Sequence, residues 1–114
     1  MSVRVEVHQA NDRGNVYTLL VPLKWGELVV PAGFESDGAS VPRFFWRAVF
    51  PPGDSQALRA AILHDFIYRE RPDGWTRAAA DNLFLEVMLA DGVPEFRARL
   101  AYAGVRLFGG NSWK

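Results

Sequence analysis

There is no cysteine anywhere in the 114 residues. That excludes a disulfide framework and a thiolate metal site, and leaves only nitrogen and oxygen donors for any metal. Neither charge is in excess, since 13 basic residues balance 13 acidic ones. Nucleic-acid binders draw much of their affinity from phosphate neutralisation, so nucleic acid is not an expected partner, even with Arg97, Arg99 and Arg106 clustered near the end. No apolar run approaches the roughly 20 residues that span a bilayer. The first residues alternate charge with apolarity and form no signal-peptide block. Repeats and low-complexity stretches are missing as well. What is present is apolar mass: 49% of residues are hydrophobic and 23% charged, a balance too apolar for disorder. A soluble single domain over residues 1–114 is expected.

Val3, Val5 and Val7 alternate with Arg4, Glu6 and His8, the period of a half-buried strand. Turn chemistry at Asn11-Asp12-Arg13-Gly14 precedes a second β-rich run, Val16 to Val21, so a hairpin is expected. Leu28-Val29-Val30 is a further short strand. Residues 1–34 therefore read as a small antiparallel sheet. Residues 35–53, from the polar Asp37-Gly38-Ala39-Ser40 through Phe44-Phe45-Trp46 to Pro51-Pro52-Gly53, read as an ordered aromatic loop. Residues 54–114 read as three helices and a tail. The first runs from a cap at Asp54 or Ser55 to about Glu70. Thr76 caps the second, which ends near Ala90, and Pro94 opens the third, which Gly109-Gly110 stops after Phe108. Phe96, Leu100, Ala103 and Leu107 are the expected inward stripe of the third helix. Arg97 and Arg99 are then wetted, and Ala101 and Gly104 are small enough to admit a close neighbour. Sheet first and helices after is the α+β pattern.

Polar residues interrupt two of the apolar faces. Leu58, Ala61, Ile62 and Asp65 share a face of the first helix, and Asp81 lies in the stripe of Ala80, Phe84, Leu85 and Met88 on the second. The short connection makes these helices antiparallel neighbours, so both carboxylates need partners. Three kinds could serve. A divalent metal (Zn, Mn, Fe or Mg) could be held by His64, Asp65 and Asp81, with Asp37 as a further ligand or a base. An arginine could pair with the acids, Arg43, Arg69, Arg97 and Arg106 being the candidates. Backbone N–H groups of the Asp37–Ser40 loop could also be pinned there. A metal-bound water would attack an ester, amide or phosphoester. A Ser40–His64–Asp arrangement is weakened by the absence of a Gly-x-Ser-x-Gly elbow. The Arg43–Phe50 stretch joins arginine to aromatics, the composition of a protein-docking surface.

Five segments occur in order: Val30-Pro31-Ala32-Gly33-Phe34; Ser36-Asp37-Gly38-Ala39-Ser40-Val41-Pro42; His64-Asp65-Phe66-Ile67-Tyr68; Ala80-Asp81-Asn82-Leu83-Phe84; and Arg106-Leu107-Phe108-Gly109-Gly110 with Trp113. Together they resemble the phage and prophage family catalogued as domain of unknown function 1353, from about Val29 to Trp113. The resemblance implies a phage or prophage origin, hence a place in the host bacterial cytoplasm or on a virion, and brings no activity with it. The expected function is a phage-encoded protein with an Asp37/His64/Asp65/Asp81 site acting as a small metal-dependent hydrolase on an unknown small substrate. The alternative is a non-enzymatic virion, tail-associated or host-factor-binding protein, in which the cluster is structural and Arg43–Phe50 docks a phage or host protein.

Overall fold

The computed structural model describes residues 5–9, 15–36 and 56–113, without side-chain placement at 5–9, 15–17, 111 and 112. The expected loop over residues 35–53 lies almost wholly outside them. Asp37, Ser40, Arg43 and the aromatic run are therefore not placed, and neither are the expected caps Asp54 and Ser55. The chain divides into two compact units, residues 1–37 and 38–114.

The first unit is antiparallel throughout. Strand β1 (Val5–Gln9) pairs with β2 (Asn15–Leu19) in a register running from Val5 opposite Leu19 to Gln9 opposite Asn15. This is the expected hairpin. Two further strands were not legible in the sequence: β3 (Leu23–Trp25), which pairs with β4 (Leu28–Val30), and β5 (Glu35–Ser36), which adds to β2. The result is a three-stranded sheet ordered β1–β2–β5 and a separate β3–β4 ribbon. Gly26 makes the ribbon possible. At φ 59° it opens the two-residue turn between Trp25 and Leu28, the place where a primed hairpin turn puts glycine first. Leu28 and Val30 are buried while Val29 between them is exposed, as a pleated strand with one covered face requires.

The second unit holds three helices among the described residues: α1 (Leu58–Glu70), α2 (Arg77–Ala90) and α3 (Glu95–Phe108). A short 3-10 turn, Gly109–Ser112, extends the chain where the sequence suggested a stop. The α+β class follows. None of these helices is long and apolar enough to cross a membrane. Helix α2 packs against both others. Arg59 near the start of α1 meets Asp91 past the end of α2, whereas Tyr68 near the end of α1 meets Asp81 near the start of α2. The two helices are therefore antiparallel.

Local chemistry sets the helix ends. Thr76 Oγ1 accepts from the Ala79 amide at 3.0 Å, the expected cap of α2. At the other end the Gly92 amide reaches Leu89 O, and Val93 N reaches Met88 O at 3.0 Å, with Gly92 at φ 89°. That is a Schellman closure, which needs the left-handed conformation glycine adopts without strain. Helix α1 ends instead on Arg71, a non-glycine residue at φ 47°. The conformation costs about 1 kcal/mol, and the Arg71 guanidinium, 5.0 Å from the Trp113 ring centre, is one contact that offsets it.

Helix α3 is turned inside out relative to its apolar pattern. Ala98, Ala101, Gly104 and Val105 are buried, while Phe96, Leu100, Ala103 and Leu107 face outward. The physical reason is close approach. Small side chains let a helix backbone approach its neighbours more closely than a row of phenylalanine and leucine would.

Candidate functional site

The close approach of α3 brings a polar group to the middle of the helices. Asp81, fully buried on α2, accepts from three side chains. His64 Nε2 lies 2.6 Å from its Oδ1, and the Tyr68 hydroxyl donates to the same oxygen at 2.6 Å. Arg106 Nη1, reaching over from α3, donates to Oδ2 at 2.8 Å. His64 and Tyr68 are four residues apart on α1, so they stand one above the other on one face, with ring centres 4.2 Å apart. Phe84, one turn beyond Asp81 on α2, packs on the other part of the imidazole at 4.8 Å between centres.

A second layer holds the first. Arg77 Nε donates to the Tyr68 hydroxyl at 3.1 Å, so that oxygen both gives and receives. Arg77 Nη2 donates to the carbonyls of Val105 and Arg106 at 2.7 and 2.8 Å, tying the end of α3 to the start of α2. Trp113 meets Tyr68 edge-on at 5.3 Å. Among the described residues, no buried side-chain nitrogen or oxygen lacks a partner.

The charge states follow from these contacts. Burial pushes Asp81 toward protonation, but the hydrogen bonds from His64, Tyr68 and Arg106 outweigh it and hold the carboxyl below its ordinary value. Asp81 is therefore an anion. An ionised carboxylate can only accept, so His64 donates to it from Nε2. Tyr68 moves the other way. Burial first, then its bond to Asp81, raises the phenol far above its usual range and keeps it neutral.

The sequence-derived candidates thus divide. His64 and Asp81 are joined directly, and Arg106, one of four arginines considered, is the one on Asp81. Asp65 is buried and already engaged. Asp37, Ser40 and Arg43 lie outside the described residues. Among those described, no group of three His, Asp or Glu side chains is arranged to hold a metal. Two members of the cluster had no role assigned from sequence. Tyr68 carried a readable signal, four residues after His64, whereas Arg77 in the first turn of α2 looks like any solvated helix residue.

The family of proteins of unknown function DUF1353 matches residues 19–105. The match begins earlier than the motif resemblance, at the end of β2, and stops before Arg106. Among curated proteins the chain is 35% identical over 89 residues to the uncharacterized protein y4jT of Sinorhizobium fredii, covering 76% of this chain and 24% of that one. It is 31% identical over 75 residues to y4iH of the same organism, covering 66% of this chain and 30% of that one. The chain therefore spans 24% and 30% of the length of these relatives. No solved structure matches it. With most of its residues under the family model, the chain belongs to the DUF1353 family.

Proposed function

We propose that the chain is a small hydrolase of phage or prophage origin in which His64 is the general base and Asp81 the residue that orients it. The observation carrying this reading is the 2.6 Å contact between His64 Nε2 and Asp81 Oδ1. A buried carboxylate on one imidazole nitrogen fixes the tautomer, turns the other nitrogen into the base and stabilises the imidazolium that forms. Tyr68 and Arg106 also donate to Asp81 and keep it anionic, so it orients the ring without taking its proton. In the proposed reaction the imidazole of His64, buried in this structure, opens to water and removes its proton while the oxygen adds to an ester carbonyl or a phosphorus. The bond to the leaving group then breaks, and that group departs with the proton held on His64.

A divalent cation (Zn, Mn, Fe or Mg) would polarise the bond under attack. Among the described residues the proposed ligand is Asp65, which neighbours the base in the chain. Asp81 is the weaker candidate of the original three, because a cation there competes with the Arg106 guanidinium. A phage or prophage origin rests on the five ordered motifs, and a place in the host cytoplasm or on a virion goes with it.

The test is hydrolysis of a panel of chromogenic carboxylic and phosphate esters, with and without each metal, by wild type, His64→Ala and Asp81→Asn. Wild-type turnover is expected, lost in His64→Ala and reduced by about 10²–10⁴-fold in Asp81→Asn, with both variants folded by circular dichroism. No turnover of any substrate, together with a His64→Ala variant that unfolds, selects the non-enzymatic reading. The observation favouring that second reading is the number of helix-joining bonds the cluster makes through Arg77 and Arg106.

A further inference from the structure

The apolar residues of the outward stripe of α3 lie outside the Asp81 site, and the flanking Arg106 belongs to both. Phe96, Leu100 and Leu107 are 66%, 48% and 75% exposed, with Ala103 exposed between them. Their spacing is four, three and four residues. At about 100° per residue all four fall within roughly 60° of arc. That is narrower than the apolar face of a helix lying on a lipid surface, and it has the 3.5-residue repeat of a coiled-coil seam. The buried Ala98, Ala101, Gly104 and Val105 lie on roughly the opposite side, so the seam is not the one α3 uses against α2.

Charge selects the occupant. Arg99 and Arg106 border the seam on one side and Arg97 on the other, and with Glu95 as its one acidic residue α3 carries three positive charges against one negative. Arg99 meets Glu95 through Nε and Arg106 meets Asp81 through Nη1. A guanidinium has five N–H groups in a fork, so each can receive a further carboxylate. A second copy packed antiparallel on this seam would set Arg99 against Arg106, like against like. In the curated relatives, moreover, the matched segment is 24% and 30% of a longer chain, so there the module is joined to other polypeptide.

We infer that the Phe96–Leu100–Ala103–Leu107 face of α3 docks an amphipathic helix of another polypeptide segment, with a matching apolar seam flanked by Asp or Glu. The acids meet Arg97, Arg99 and Arg106, and the apolar knobs enter the holes beside Ala103.

The probe is a peptide of about three heptads with leucine at the seam positions and glutamate beside them, compared with the same peptide carrying lysine there. Titration by fluorescence anisotropy should show the glutamate peptide binding at least about tenfold tighter, weakening as salt rises. The double variant Leu100→Ser, Leu107→Ser should lose that binding with its far-ultraviolet dichroism unchanged, since both side chains are exposed. Equal binding of the two peptides, or none to either, overturns the inference. So does a concentration-dependent dimer in sedimentation that Leu107→Ser abolishes, which assigns the face to a second copy. Binding to phosphatidylglycerol vesicles with no peptide preference overturns it as well, assigning the face to lipid.

Discussion

Tyr68 shows how much of the site depends on single oxygen atoms. Its hydroxyl gives a hydrogen bond to the Asp81 anion and takes one from Arg77, so Tyr68→Phe removes two bonds and no carbon packing. Bonds to charged groups contribute about 1.5–3 kcal/mol, and a loss in that range is expected from urea unfolding of Tyr68→Phe. A loss under about 0.5 kcal/mol, the scale of a surface change, would mean that His64 and Arg106 satisfy Asp81 without the phenol. The sequence pointed to Asp81 because it interrupts an apolar stripe and a buried carboxylate must have a partner, but it set Asp65 rather than His64 on the facing stripe. It could not disclose which arginine answers. Arg106 is selected by the packing of α3 against α2, which cannot be read from the residues around Asp81 in the sequence.

At the scale of elements, sequence and structure agree where the determinant is local. Thr76 caps α2 because its hydroxyl reaches an amide three residues on, a contact that requires no knowledge of the rest of the chain. Thr76→Ala should cost about 1 kcal/mol, read as a lower urea midpoint with an unchanged slope, whereas a neutral result would mean the Arg77 clamp alone fixes the start of α2. Agreement fails where packing decides. Phe96, Leu100, Ala103 and Leu107 form the larger apolar stripe of α3, and amphipathicity alone turns it inward. The smaller face wins because close backbone approach lets Arg106 reach Asp81 and lets Arg77 reach the last carbonyls of the helix. Strands β3 and β5, at three and two residues, are too short for any period to register.

For the molecule as a whole, the buried network makes stability depend on pH at both extremes, through different groups. Asp81 is held below its ordinary value of 3.8 in the folded chain. Its contribution is therefore fully present above that pH and is lost as pH falls through the folded value. Tyr68 is raised above its ordinary 10.0, so its neutral form belongs to the folded state, and its contribution is present below pH 10.0 and lost as pH rises beyond it. Urea midpoints measured across the full pH range for wild type, Asp81→Asn and Tyr68→Phe separate the two. The gap between wild type and Asp81→Asn should be constant near neutrality and close below 3.8, because an amide cannot be protonated out of the network. The gap between wild type and Tyr68→Phe should close above 10.0, because phenylalanine has no proton to lose. A wild type whose acid limb is unchanged by Asp81→Asn would place the acid-sensitive carboxylate elsewhere, with buried Asp65 the next to examine.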